Sequence, residues 1–131
     1  MTEATSKRNT ESIYGLSPMQ QGMLFHSLYA PESGTYFEQT TCVLSGNLNV
    51  PAFEAAWQQV VGRHSVLRTA FVWKNLNRTL QVVQRQVDLT LEQQDWRQLS
   101  ARDQALHLEA FLEADRRRGF DLARAPLMRL A

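Results

Sequence analysis

From Asn49 onward the apolar residues Phe53, Ala56, Trp57, Val60 and Val61, with His64 next in line, recur at i, i+3, i+4, i+7, i+8 and i+11. That spacing lays one stripe along a 3.6-residue repeat, so it predicts an amphipathic helix that must bury the stripe against a second layer. Asn49 is placed to cap it. The full sequence has 131 residues, 44% hydrophobic and 21% charged, the balance of one globular domain or part of one.

The elements around this helix follow from local chemistry. Residues 1–12 are polar and rich in Thr, Ser, Glu and Asn, which predicts a mobile leader, with order beginning near Ile13 and the folded part running over 13–131. Ser17 offers a capping hydroxyl, Pro18 suits the first helical position and Gln20 completes a capping box, so a helix is expected over residues 18–29. Its apolar residues, Met19, Met23, Leu24, Phe25, Leu28 and Tyr29, fall on nearly every side, and such a helix expects protein around most of its surface. Thr, Val and aromatic residues predict a strand over 36–44, and two more over 67–74 and 79–84, joined as a hairpin through Asn75-Leu76-Asn77-Arg78. A short further segment is expected at 89–92. Ser100 caps a last helix, ended by Gly119, that should bury Ala101, Ala105, Leu108, Phe111 and Leu112. Apolar residues then alternate to the end of the chain as though a strand were beginning, so the chain reads as cut rather than finished. The order is mixed rather than regularly alternating, which predicts an α+β layer with a mixed sheet and helices packed against it.

Several function classes find no support in the residues. A formal net charge of +1 gives no field to draw in nucleic acid or an anionic membrane. No apolar run approaches the roughly 18 residues of a bilayer span, and the leader has no apolar core of a signal peptide. The single cysteine, Cys42, lies among apolar and β-branched neighbours, reads as core filler and suits a reducing cytoplasm. His26, His64 and His107 are scattered, with no second cysteine, so no metal site is expected. Glycine-rich phosphate loops and the Gly-x-Ser-x-Gly elbow are missing, which removes the usual grounds for a nucleotide-binding protein or a serine hydrolase. Arg116-Arg117-Arg118 would sit in the last turn of the final helix, opposing the negative end of its dipole and facing solvent.

Among the remaining polar candidates, His64 continues the apolar stripe and reads as a satisfied, partly buried histidine rather than a proton-transfer group. Arg68 follows the apolar Val66-Leu67 pair at a helix-to-strand junction, where a guanidinium most often ties down backbone carbonyls or a carboxylate. His26, among Met19, Gly22 and Met23, favours packing over catalysis.

Two segments, Ser17-Pro18-Met19-Gln20-Gln21-Gly22-Met23-Leu24-Phe25-His26 and Arg63-His64-Ser65-Val66-Leu67-Arg68-Thr69-Ala70-Phe71, resemble the first two signature motifs of the condensation domains of nonribosomal peptide synthetases. Residues 29–39 and 119–129 resemble the same family at corresponding places, so the similarity runs from about Tyr14 to Ala131. Ser65 departs from it, standing where the family often has an acidic residue. The resemblance implies part of a chloramphenicol-acetyltransferase-like lobe. It also implies a parent activity of amide formation between a donor thioester and an acceptor amine, both held by the phosphopantetheine arms of partner carrier proteins. Ser17, Gln20, Met23, His26, Arg63, His64 and Arg68 are carried over as tunnel-lining or structural supports. The family's later His-His-x-x-x-Asp-Gly motif has no counterpart, since no two histidines are adjacent in this chain, and no catalytic or cofactor-binding residue is assigned.

The reading is therefore the N-terminal part of a cytoplasmic condensation domain, inactive alone and completed by the remainder of the domain. Isolated, it should self-associate. Two rivals stay open: a free-standing interaction module using an open sheet edge, and the front of a related acyltransferase that forms esters.

Overall fold

The computed structural model describes residues 9–131. Three helices and a three-stranded sheet make an α+β chain, in the order β1 (Thr10–Gly15), α1 (Pro18–Tyr29), α2 (Val50–Arg63), β2 (Thr69–Val72), β3 (Leu80–Gln84) and α3 (Ala101–Arg118). Short 3-10 turns at Pro31–Ser33 and Ser65–Arg68 follow α1 and α2.

The sheet order is β1-β3-β2, with both pairings antiparallel. The expected hairpin is formed by β2 and β3, in the register Thr69↔Val83 to Val72↔Leu80, and Asn75 takes the positive φ of 58° that the connecting turn needs. β1 is a correction to the expected leader. Residues 10–12 pair with β3, and Asn9 reaches further, exchanging side-chain hydrogen bonds with the Gln86 backbone at 2.9 and 3.0 Å. Residues 1–8 of that leader lie outside the described residues. The register of β1 slips between Thr10 and Ser12, so Glu11 is the extra residue of a β-bulge.

The helix ends are built as their sequences dictate. Ser17 Oγ accepts from Gln20 N at 3.2 Å and Gln20 Oε1 accepts from Ser17 N at 2.9 Å, a complete capping box. Asn49 Oδ1 accepts from Ala52 N at 3.0 Å, and Ser100 Oγ from Asp103 N at 3.2 Å. Gly119, at φ 56°, ends α3.

The core forms where α2 crosses the segment after β3. Val61 is fully buried, in one cluster with Val87 and Leu89, and Trp57, Leu67, Ala125, Met128 and Leu130 pack around it. The stripe along α2 is used at Phe53, Trp57 and Val61, spaced four apart, while Ala56 and Val60 stay exposed. Gln58 takes a place on the buried side, donating to Val87 O at 2.8 Å and accepting from Leu89 N at 2.9 Å. It thus supplies the backbone partners that a neighbouring strand would supply.

Other expectations need correcting. Residues 36–44 form no strand, for no strand pairs with them among the described residues, and Cys42 within them is exposed rather than core filler. Residues 67 and 68 belong to the 3-10 turn rather than to a strand. The three-stranded sheet is wholly antiparallel; the one parallel contact among the described residues, outside it, is a bridge between Leu91 and Leu130. That bridge also gives the terminal apolar segment a partner inside the chain, with Glu92 N donating to Leu130 O at 2.9 Å. On α3, Ala101, Ala105 and Leu108 are exposed and, of the five, only Phe111 and Leu112 are half-buried, for the chain that meets the first half of the helix does so through Gln104, which donates to Trp96 O at 3.0 Å, and through the Trp96–His107 ring contact at 5.7 Å rather than over those apolar positions. Arg116, Arg117 and Arg118 face solvent. Among the described residues no helix is long and apolar enough to cross a membrane.

Two outcomes test these local interactions. Asn49→Ala should lower stability by about 1 kcal/mol in urea denaturation, through loss of the cap bond alone. Asp95, on the loop before α3, accepts hydrogen bonds from the Arg97 side chain at 2.5–3.0 Å and from its backbone N–H at 3.1 Å. Those bonds hold its carboxyl down from 3.8 to about 2. The associated stabilisation, small at so exposed a site, is present above 3.8 and lost as pH falls through about 2. Arg97→Gln should return the carboxyl's titration midpoint, followed by NMR, toward 3.8.

Candidate functional site

The two motif segments meet the sheet from different directions. On α1, the capping box does more than end a helix, because Gln20 also pairs amide to amide with Gln81 of β3, at 3.3 Å and 3.2 Å. Gln81 is buried and spends its second amide hydrogen on Gly15 O at 3.1 Å. A buried amide with partners on both sides is costly to displace, so this pair fixes the N-terminus of α1 on the sheet.

Beyond that anchor α1 turns most of its apolar residues outward. Leu24 is buried, but Met19 is 77%, Phe25 62% and Tyr29 80% exposed. Protein around most of this helix, the expectation from its sequence, is not present among the described residues. Met23 lies at the rim, 38% exposed. His26 is exposed as well; its ring meets Phe25 edge-on at 5.7 Å and Tyr36 at 6.4 Å. Tyr36 holds a left-handed backbone, φ 68°, which a bulky L residue adopts only when its surroundings enforce it.

On the second segment, Arg63 closes α2 and is exposed. His64 is also exposed, which corrects the expectation of partial burial. Its backbone is extended, φ −104° and ψ 106°, so the residue leaves the helical wheel one position before the stripe would have buried it. Its N–H donates to Val60 O and its carbonyl accepts from Leu67 N, both at 3.0 Å.

Arg68 is the buried member of the set, with its side chain 7% exposed. Nη1 pairs with Glu11 Oε2 at 2.6 Å and donates to Gln84 O and, at 3.4 Å, to Arg85 O. Nε is buried with no hydrogen-bond partner among the described residues. One guanidinium therefore joins the β1 bulge, the end of β3 and the turn leaving α2. Beside it is a cleft of about 190 Å³ lined by Gln58, Gly62, Arg68, Arg85, Gln86, Val87 and Asp88.

Of the seven sequence candidates, Ser17 and Gln20 are hydrogen-bonded to each other, and no bond links α1 to Arg63, His64 or Arg68 among the described residues. Sequence reasoning missed Glu11, Gln81 and Tyr36. Gln81 had a signal, since it shares the strand face of Val83 and so places an amide at a core position. Glu11 had none, for its role arises from a bulge against a strand some seventy residues further along the chain. Among the described residues no group of three metal-ligating side chains is assembled.

A stability series tests the Arg68 assembly. Arg68→Ala should cost about 1.5–3 kcal/mol, the range for a charge-assisted hydrogen-bonding group. Arg68→Lys should recover little, because an ammonium lacks the planar fork. Glu11→Gln should cost less, about 1 kcal/mol or below, since its amide oxygen still accepts and the site is partly solvated. Urea unfolding that reverses this order would overturn the assignment.

The comparisons with known proteins agree with the two motifs. A linear gramicidin synthase polypeptide of Brevibacillus parabrevis is 54% identical over 93% of this chain and 2% of its own length. A plipastatin synthase polypeptide of Bacillus subtilis (strain 168) is 41% identical over 92% of the chain and 5% of its own length. Surfactin synthase subunit 3 of the same organism is 36% identical over 96% and 10% respectively. The chain thus spans a small part of each relative. Residues 10–131 match the family described as Condensation domain, and the chain belongs to the condensation domains of nonribosomal peptide synthetases.

Proposed function

We propose that residues 10–131 form the N-terminal part of a condensation domain, within a chloramphenicol-acetyltransferase-like lobe. The parent protein joins a donor thioester to an acceptor amine as an amide. Its partners are the rest of the domain and two carrier proteins bearing phosphopantetheine, and its compartment is the cytoplasm. The observation that carries this reading is the family match over 10–131 combined with α1, whose motif end is locked to β3 while Met19, Phe25, Leu28 and Tyr29 remain exposed. A helix so anchored and so apolar is suited to being covered by further protein.

On this reading the reacting group belongs to the rest of the domain. An acceptor ammonium must lose a proton and be oriented before it attacks a thioester carbonyl. This chain has no adjacent histidines of the kind found in the family's His-His-x-x-x-Asp-Gly motif. His26 and His64 are exposed on separate elements, and neither is hydrogen-bonded to an orienting carboxylate among the described residues. On this reading the seven motif residues support the frame in which the reaction occurs.

Mixed with loaded donor and acceptor carriers, the isolated chain should form no amide above the uncatalysed background by intact-mass spectrometry. Light scattering should show it self-associating, and co-expression with the remainder of a condensation domain should relieve this. Amide formation by the chain alone would overturn the division of roles. A compact monomer with little hydrophobic-dye binding would instead favour a free-standing interaction module.

A further inference from the structure

Arg129 sits in the last segment of the chain, half-buried, with every arm of its guanidinium engaged. Nε donates to Asp115 Oδ1 at 2.8 Å, Nη2 to Asp115 O at 3.0 Å, and Nη1 to Gly119 O. Its Cζ lies over the Phe120 ring, 4.1 Å from the centroid, and over the Phe37 ring at 5.8 Å. The two rings stack on each other at 5.5 Å and 28°. Two residues beyond Phe37, the Gln39 amide donates to Leu112 O and Asp115 Oδ2, each at 3.2 Å, and accepts from Arg116 at 3.0 Å.

These contacts hold one end of the loop after α1. The other end is α1 itself, through Ala30 N donating to His26 O at 3.0 Å. Between the two anchors stands Tyr36 with its left-handed backbone, preceded by Gly34 at φ 64°, while Phe37 N closes the turn on Gly34 O at 3.1 Å. The Tyr36 side chain is 50% exposed, so its own burial does not explain why a tyrosine tolerates this conformation. The restraint comes from its neighbours: Phe37 pinned under Arg129, and Gln39 pinned to the end of α3.

We propose that Arg129 is a positioning residue that, through Phe37, holds residues 34–39 as a strap and lays the Tyr36 ring against His26. The strap bounds the outer side of the first motif's histidine. An ionic and aromatic clamp on the last segment thereby sets the surroundings of a side chain on the first helix. This inference does not depend on the proposed amide chemistry, because it concerns geometry within the chain.

Hydrogen–deuterium exchange and NMR on the 131-residue chain test it. Arg129→Met should accelerate exchange over residues 34–39 about ten-fold, the scale expected from losing a desolvated cation–π contact and its ion pair, while β3 and α2 keep their protection. The His26 ring protons should lose the displacement caused by Tyr36 and move to the positions seen in Tyr36→Ala. Phe37→Leu, which leaves the Arg129–Asp115 pair intact, should give the same two changes and stands in if Arg129→Met does not fold. Uniform acceleration along the whole chain would reduce Arg129 to a general stabiliser. His26 signals unmoved in both variants would overturn the strap.

Discussion

The sheet of this protein depends on one buried guanidinium. Arg68 stands where the chain leaves α2 and enters β2, yet its bonds go to neither: they reach the bulge of β1 and the carbonyls that end β3. Beyond the ladder, β1 is held to β3 by that cation at one end, with Asn9 on the Gln86 backbone beside it, and by the Gln81 amide on Gly15 O at the other, and an edge strand whose side chains are nearly all exposed has little else to secure it. The bulge is what makes the connection possible. An extra residue in an antiparallel pair re-aims its side chain, and here the extra residue is Glu11, whose carboxylate comes within 2.6 Å of Arg68. The pair's charge balance is asymmetric, since Arg68 is buried and Glu11 is half in water. Carbonyl oxygens complete the coordination that a single half-solvated carboxylate leaves short.

Around that joint the packing is uneven. The Val61 cluster draws its members from α2, the segment after β3 and the last residues of the chain, so it closes on contacts distant in sequence. α1 and the first half of α3 contribute little to it. An apolar side chain left wholly in water forgoes about 1.5–3 kcal/mol of burial, and α1 leaves Met19, Phe25, Leu28 and Tyr29 to forgo part of that each. What keeps α1 in place is the Gln20–Gln81 amide pair at its N-terminus together with the buried Leu24 side chain. Most of its remaining apolar surface is unspent.

This division explains what could be read from the residues. Features decided within one turn of chain were legible: the boundaries of α1, the Asn49 and Ser100 caps, the stop at Gly119, and the β2–β3 hairpin. Features decided by a distant partner were not. Residues 36–44 have strand composition but meet the end of α3 through Phe37 and Gln39 instead of meeting a sheet. Residues 10–12 have leader composition but find β3 beside them. His64 illustrates the boundary between the two cases, for the wheel that would bury it holds only while the backbone stays helical, and it ceases to be so at that residue. Of the site, the motif residues were legible by type; among the groups that restrain them, Gln81 left a trace as an amide at a core position, while Glu11 and Phe37 left none, because their restraint is a property of pairs.

The two histidines carry this reasoning to chemistry. An imidazole becomes a useful proton acceptor when one nitrogen is held by a partner, which sets the tautomer and aims the other nitrogen at its target. His64 is held through its backbone and leaves its ring to solvent. His26 is held through ring contacts with Phe25 and Tyr36, which orient a plane but select no tautomer. Placement and proton control are separate requirements. The described residues supply the first at His26, by way of a tyrosine in a conformation that its neighbours enforce, and the ring contacts that do so leave the second unmet.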